Sequence, residues 1–476
     1  PADTSGTGSS VEAQEDTGKE ASAGTTMLED GMYSVNVELQ GGSGRATVDS
    51  VATVTVTDGQ AMATIVWSST YYDYMIVDDE KYLNENEGGN STFTFPITGV
   101  PCEMEVIGDT TAMSTPHEIE YTLVFSFPET TSFNELNCEG HMNLAYADQF
   151  SIEQYGAYKL ITIVDSGRYL LVPKGVSVPA DVPSDIVVLQ QPLDSIYLVS
   201  SSVMDQFVAL DALDSIALSG TKQDGWYIDE AKQAMADGKI TYAGKYSAPD
   251  YETIYSADCN LAIENTMIYH TPEVKEQLEK LGIPVFVERS SYEPHALGRM
   301  EWIKVYGTLL GCEDKAEKLF ADKVDGIVDI LQKPAAGKTV SFFYITSNGA
   351  ANVRKSTDYI AEMISLAGGK YIFDDLTDDT AKSTVNMQME SFYAGARDAD
   401  VMIYNATIDS ELQTLDQLLE KSTLLADFKA VKTGNVWCTE KNLYQSTMEL
   451  DELIRDFHTV IADGDPSTLK YLHKLS

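Results

Sequence analysis

The 476-residue chain is poor in the residues that build covalent or metal frameworks. It has five cysteines, Cys102, Cys138, Cys259, Cys312 and Cys438, and no CxxC pair. An odd, dispersed set is neither a disulfide framework nor a zinc knuckle. The six histidines, His117, His141, His270, His295, His458 and His473, are equally scattered. No HExxH or HxH occurs, which argues against a zinc hydrolase or a multi-histidine zinc binder. Positive charge is scarce: 32 Lys and Arg stand against 74 Asp and Glu, for a net charge of −42. Nucleic acid and anionic lipid both need clustered cations, so neither is an expected partner. No apolar run reaches about 18 residues, the length of a membrane-spanning helix. Enzyme signatures are missing too. The triple serine at 200–202 lacks a GxSxG elbow. The "GGSG" at 41–44 has no helix after it to cradle a phosphate. The "AGG" at 367–369 ends a helix rather than starting one. The expectation is a protein that is not an enzyme and carries no resident cofactor.

What is present divides the chain. Residues 1–26 are rich in Ser, Gly, Ala, Thr and Glu and lack large apolar side chains, so they cannot offset their ordering entropy and read as a disordered stalk. Residues 27–127 alternate. Tyr33, Val35, Val37 and Leu39 fall on one side, and Asp58-Gly59 separates two β-rich runs as a hairpin turn does. This predicts an all-β, immunoglobulin-like sandwich. Residues 128–140 read as a linker. Beyond it, "TPEVKEQLEKLGIPVFVE" (271–288) and "STDYIAEMISLAGGKYIF" (356–373) each join a helix to a buried strand, which predicts alternating α/β structure with a mainly parallel sheet. The two α/β lobes, 141–312 and 334–476, are separated by "EDKAEKLFADKVDGIVDILQK" (313–333). Its apolar residues recur at three and four, as in one stiff connecting helix.

The segments "SAPDYETIYSADCNLAIEN" (247–265), "LEKLGIPVFVE" (278–288), "LLGCEDKAEKLF" (309–320) and "MESFYAGARDADVMIYN" (389–405), in this order, resemble the class III substrate-binding proteins of ABC importers. The resemblance covers roughly residues 141–474. It implies a two-lobed receptor for iron siderophores, haem or cobalamin, with an ABC permease as partner. It also implies that one surface carboxylate per lobe docks on permease arginines; the matching positions are Glu252 and Glu390. The other reading of both is an acid in the first turn of a helix, complementing its dipole. The β segment resembles modules fused to clostridial iron-transport proteins and, distantly, near-iron-transporter (NEAT) haem-binding domains. "WSSTYYDYM" matches their serine-containing lip, but the Tyr-x-x-x-Tyr haem motif is absent near "YTLVFSF". Tyr74, Met113 and His117 are the substitute ligands, or else rim and core residues.

Ligands in such folds lie outside the carboxyl ends of the strands. "SSYEPHALGRMEWIK" (290–304) leaves the strand "IPVFVE" at that end with Tyr292, Glu293, His295 and Arg299 close together. Arg299 suits a carboxylate, Tyr292 a flat face, and His295 an oxygen or iron. The alternative is a local Glu293–Arg299 salt bridge with His295 as an ordinary loop residue. Other strand ends add Ser200, Ser201 and Met204; Trp226 and Tyr227; Glu264 and Met267; and, from the second lobe, Arg354 and Tyr404. The expected function is an extracellular, monomeric solute-binding lipoprotein of a Gram-positive bacterium, anchored through a cysteine preceding Pro1. It would capture an iron chelate or haem. The alternatives are a corrinoid receptor and a surface adhesion protein acting through the β module.

Overall fold

Alternation is the feature that builds the first part of the chain. The computed structural model describes residues 28, 30–42, 44, 46–86, 88–112, 117–127, 131–377 and 383–476. The expected stalk over 1–26 lies outside them. The chain divides into two compact units, Pro1–Thr130 and Thr131–Ser476.

The first unit holds strands β1 (Gly31–Gly41), β2 (Val51–Thr57), β3 (Gln60–Val66), β4 (Tyr72–Val77), β5 (Glu80–Leu83), β6 (Thr92–Ile97), β7 (Cys102–Thr110) and β8 (His117–Ser126). They pair in the order β5-β4-β7-β8-β1-β2-β3-β6. Val35, Val37, Val54, Val56, Ile65, Phe93, Phe95 and Phe125 all point into one shared core. Burial of each such side chain stabilises the unit by roughly 1.5–3 kcal/mol. The Asp58-Gly59 turn forms as expected, with φ of 51° and 74°. Asp30 locks it by accepting from both backbone N–H groups at 3.0 Å. The unit is the all-β, sandwich-like module that the alternation predicts.

The second unit does not begin as alternating α/β. Residues 131–140, expected as linker, are already part of it: Ser132 bridges Ala180, and β9 (Gly140–His141) opens a five-stranded sheet with β10 (Phe150–Tyr155), β11 (Tyr158–Ile163), β12 (Gly167–Val172) and β13 (Ile186–Gln190). Tight turns at 156–157 and 164–166 return the chain directly, so β9 to β12 pair antiparallel.

The first lobe follows: β14 (Ile196–Leu198), α1 (Met204–Ala209), β15 (Ile216–Ser219), α2 (Asp229–Ala236), β16 (Thr241–Tyr242), a small hairpin β17 (Gly244–Lys245) and β18 (Ala248–Pro249), α3 (Tyr251–Ser256), β19 (Leu261–Glu264), α4 (Pro272–Lys280) and β20 (Val285–Val287). Its parallel sheet runs β16-β15-β14-β19-β20. The order reverses between β14 and β19, so the loops after these strands diverge and leave a crevice.

Two further helices, α5 (Ala296–Glu301) and α6 (Ile303–Leu310), close the first lobe, and the connector that follows is not one helix but two, α7 (Glu313–Asp325) and α8 (Val328–Leu331). The helix expected over 313–333 breaks at Gly326-Ile327, where Ile327 adopts φ −116° and ψ 3°. Glycine weakens a helix interior, Ile327 turns fully into the core, and the Gly326 carbonyl accepts from Arg455 instead of continuing the ladder.

The second lobe contains β21 (Thr339–Ile345), β22 (Ala351–Arg354), α9 (Tyr359–Leu366), β23 (Lys370–Tyr371), β24 (Thr384–Met387), α10 (Met389–Ala396), β25 (Val401–Tyr404), α11 (Leu415–Lys421), α12 (Lys429–Lys432), β26 (Val436–Thr439), α13 (Leu450–Ile461) and β27 (Leu472–Lys474). Its sheet is mixed, in the order β24-β22-β21-β25-β26-β27, with β23 beside β21.

Candidate functional site

A cavity of about 1000 Å³ lies between the lobes, at the upper end of ordinary small-molecule sites. Besides Thr377, Ser383 and Thr384, three stretches wall it. Thr266, Met267 and His270 follow β19; Ser291, Tyr292 and Glu293 follow β20; Lys355 and Thr357 to Tyr359 lead from β22 into α9. Local chemistry explains each. The Asn265 side chain accepts from the Met267 N–H at 2.9 Å and starts a short 3-10 turn. That turn leaves Met267 44% exposed. Tyr292 is 41% exposed, with the Arg289 guanidinium 4.2 Å over its ring. Asp358 caps α9 by accepting from the Ile360 N–H at 3.0 Å, which sets Tyr359 at the first helical position.

Two arginines are buried near this wall, and one of them, Arg299, stacks on Tyr359. Arg299, on α5, is 9% exposed and places its guanidinium carbon 4.0 Å from the Tyr359 ring centroid. Among the described residues no carboxylate lies within ion-pair distance of it. Arg354, also 9% exposed, ends β22. Its guanidinium lies 3.6 Å from an Asp358 carboxylate oxygen and donates to the Tyr444 hydroxyl. Burial raises the Tyr359 phenol, and both arginines pull it back. The alternative, a Glu293–Arg299 bridge, does not form. Glu293 is taken by the Trp302 indole N–H at 2.8 Å and the backbone N–H groups of Asp148 and Gln149 at 3.0 Å. Glu301 likewise accepts from Ala145, Tyr146 and Ala147. The acids of "SSYEPHALGRMEWIK" therefore clasp the backbone at 145–149, and its arginine stacks on Tyr359, which lines the cavity.

Several expected site residues sit elsewhere. His295 caps α5, with Nδ1 accepting from the Leu297 N–H at 3.1 Å. Its Nε2 lies 3.2 Å from Glu362 of α9, so it faces a carboxylate and not a ligand. Burial lowers His295 and raises Glu362 to about 7. Met204 and Trp226 are core side chains, because α1 and the approach to α2 turn them under the sheet. Tyr404 is fully buried and donates to Asp409. Glu264 is fully buried with neither oxygen hydrogen-bonded among the described residues. Strand alternation sends it to the apolar layer that holds Ala262 and Tyr197, and burial raises its carboxyl to about 8. Ser200 donates to Glu288 at 2.6 Å and is buried, whereas Ser201 is half-buried. Tyr227 is exposed, and its backbone N–H donates to Gln445 of the second lobe at 2.7 Å.

Glu252 and Glu390 are exposed in the first turns of α3 and α10. In the first unit, Tyr74 donates to Glu118 at 2.8 Å, which pushes its phenol up to about 12 and opposes a metal-binding phenolate. His117 is exposed at the start of β8. Met113 lies outside the described residues. Sequence reasoning missed His270, Lys355, Thr357, Asp358, Tyr359 and Tyr444. The helix–strand pattern over 356–373 placed α9, but it did not show that its first turn faces the other lobe.

The pattern of the family described as periplasmic binding protein matches residues 196–443, just over half of the chain. An uncharacterized lipoprotein of Methanocaldococcus jannaschii is 26% identical over 345 residues, covering 67% of this chain and 80% of the relative. A second uncharacterized lipoprotein of that organism is 28% identical over 256 residues, covering 51% of this chain and 64% of its own length. Among solved structures, a periplasmic binding protein from Veillonella parvula matches with a TM-score of 0.47 and 16% identity, over 66% of this chain and 97% of that one. A periplasmic heme binding protein from Pseudomonas aeruginosa matches with a TM-score of 0.47 and 18% identity, over 60% and 98%.

Proposed function

Because the chain belongs to the periplasmic binding protein family, we propose that its second unit is the solute receptor of an ABC importer and that it captures an anionic metal chelate, an iron siderophore or haem, between its lobes. One observation carries this reading. In a chain of net charge −42, the buried Arg299 stacks on Tyr359 of the cavity wall, and a second buried arginine, Arg354, ends β22 beside Asp358. Buried guanidinium groups need an anionic partner, and Arg299 has none among the described residues. A carboxylate, hydroxamate or propionate oxygen would supply it with charge-assisted hydrogen bonds. Tyr292 and Met267 suit the flat or polarizable part of such a ligand.

Delivery would follow by docking of Glu252 and Glu390 on a permease. Two curated relatives are named as lipoproteins, which supports a lipid-anchored receptor at the cell surface. We read the first unit as a spacer or presenting module built like NEAT domains, with the Tyr74–Glu118 bond arguing against haem ligation at that point.

The test is a spectroscopic titration of the purified chain with haemin, ferric hydroxamate and catecholate siderophores, and cobalamin. A Soret shift selects haem, quenching by one ferric chelate selects that siderophore, and saturable cobalamin binding moves the reading to corrinoids. Failure with all of them overturns the receptor reading in favour of an adhesion role for the β module.

A further inference from the structure

The cavity leaves unused a small cluster at the start of the second unit. Cys138, His141 and Glu153 come from β9, β10 and the residues just before them, none of which lines the cavity. His141 and Glu153 are direct cross-strand partners in the antiparallel β9–β10 pair. The Cys138 sulfur lies 3.7 Å from His141 Nε2, and His141 Nδ1 lies 3.6 Å from Glu153 Oε1. One donor atom from each residue falls within 4.8 Å of the other two.

The two contacts engage opposite nitrogens of the imidazole, so one cation would take only one of them, and the donor set, all within 4.8 Å, would draw in by rotation of the exposed side chains. With a metal–sulfur distance of about 2.3 Å and metal–nitrogen and metal–oxygen distances of about 2.0–2.2 Å, tetrahedral ligands stand roughly 3.3–3.6 Å apart. The sheet supplies part of this for nothing more than backbone pairing. It fixes His141 opposite Glu153, and Cys138, three residues before His141, comes back to the same imidazole. A further contact orients the carboxylate. The Tyr155 hydroxyl donates to Glu153 Oε2 at 3.2 Å, leaving Oε1 toward the histidine. That is the outer hydrogen bond that a metal-ligating carboxylate ordinarily receives. The thiol at present donates to the Gly140 carbonyl at 3.5 Å, a weak bond that a cation would replace.

We infer that Cys138, His141 and Glu153 form a binding site for a borderline divalent cation, zinc in the first instance, outside the interlobe cavity. The donor set decides the class. One thiolate, one imidazole and one carboxylate select zinc, cobalt or nickel over calcium or magnesium, which require oxygen. Three protein ligands leave a fourth position for water, and the exposure of Cys138 and His141 lets the ion exchange with solvent. On binding, the thiol proton leaves to solvent and no redox change occurs.

The experiment uses the full chain, stripped by a chelator and titrated with Co²⁺. The expected result is one ion per chain with tetrahedral visible bands and a near-ultraviolet thiolate-to-cobalt band, both abolished by Zn²⁺. C138S should lose the thiolate band. H141A and E153Q should weaken Zn²⁺ binding by more than Y155F, for which about a tenfold loss is expected. All four positions are at a sheet edge, and circular dichroism checks that each variant folds. Absence of a thiolate band in the parent chain overturns the inference. So does its persistence in C138S, which would assign it to another of the five cysteines. Equal zinc affinity in all variants would assign the ion to the general surface acidity and equally refute the site. None of these readouts depends on what the cavity binds.

Discussion

The two lobes meet the same cavity with different materials. The first lobe offers Met267 and Tyr292, both more than a third exposed, on short 3-10 turns. The second offers Lys355, Asp358 and Tyr359, nearly buried at the start of α9, with Arg354 behind them. The topology accounts for the difference. In the all-parallel first lobe every strand ends at the cleft and each chain must turn there, so side chains are left on loops. In the mixed second lobe β22 runs antiparallel to β21 and leads at once into a helix. Its charged residues are held by that helix and by hydrogen bonds, with the Arg354 backbone joined to the Tyr371 hydroxyl in both directions. One wall is adaptable and the other preorganised, so the energetic cost of ordering a ligand should fall on the first lobe.

Each lobe also buries a carboxyl group, and these give the largest expected effects. Glu264 has no hydrogen bond among the described residues, whereas Glu362 accepts from the Ala296 N–H at 3.2 Å and faces His295. Both are raised from 4.5, to about 8 and about 7. Folding therefore favours the protonated forms. The stability they contribute is full below pH 4.5 and is lost as pH rises, toward about 8 for Glu264 and about 7 for Glu362. At 1.36 kcal/mol per unit the losses are on the order of 5 and 3 kcal/mol. Glu264→Met should therefore raise the melting temperature at pH 8 and give little gain at pH 4.5. A gain independent of pH would show that Glu264 is not protonated in the fold.

Next in size is the preorganised wall. Arg299→Ala should weaken chelate binding by roughly 10- to 150-fold, the worth of a desolvated charge-assisted contact of about 1.5–3 kcal/mol. Arg299→Lys should recover only part, because an ammonium lacks the two-pronged fork. Isothermal titration of each variant with the chelate selected above checks this. Unchanged affinity together with a lowered melting point would make Arg299 a structural residue stacked on Tyr359.

The adaptable wall should matter less. Met267→Ala and Tyr292→Ala should each cost about 1 kcal/mol or roughly fivefold in affinity, the scale of a sulfur–aromatic or partly exposed aromatic contact. If either exceeds the arginine effect, the contrast between the lobes is reversed. The smallest effect on affinity belongs to the double variant Glu252→Ala, Glu390→Ala. Both carboxylates are exposed in helical first turns, so ligand affinity should be unchanged while uptake through the cognate permease falls. Parallel losses of affinity and uptake would remove the docking role.

How much of this was legible follows from the range of the interactions. Period-two alternation over 27–127 and the helix–glycine–strand units after 271 are local patterns, and the all-β module and the two α/β lobes follow from them. Arg299 and Arg354 were singled out from the sequence as a pair. The partner of Arg299 was not legible: Tyr359 meets Arg299 across 60 positions of sequence, where no spacing rule reaches. Met204, Trp226, Glu264 and Tyr404 failed for a related reason. A strand end names a neighbourhood, but which way each side chain turns depends on what packs on the two faces of the sheet. Glu293 shows the same limit, because its acceptors' partners at Asp148 and Gln149 come from a loop far back in the chain.

By itself, then, the sequence determined the periodicities and the turn at Asp58-Gly59, because these depend on neighbours within a few residues. It also determined the net charge that makes buried cations conspicuous. Tertiary structure decided the break at Gly326-Ile327, the clasp of 145–149 by Glu293 and Glu301, the pairing of His295 with Glu362, and the meeting of Cys138 and His141 with Glu153. Each of these joins groups whose affinity for one another is ordinary. What makes them partners is a backbone approach fixed by the burial of the surrounding core.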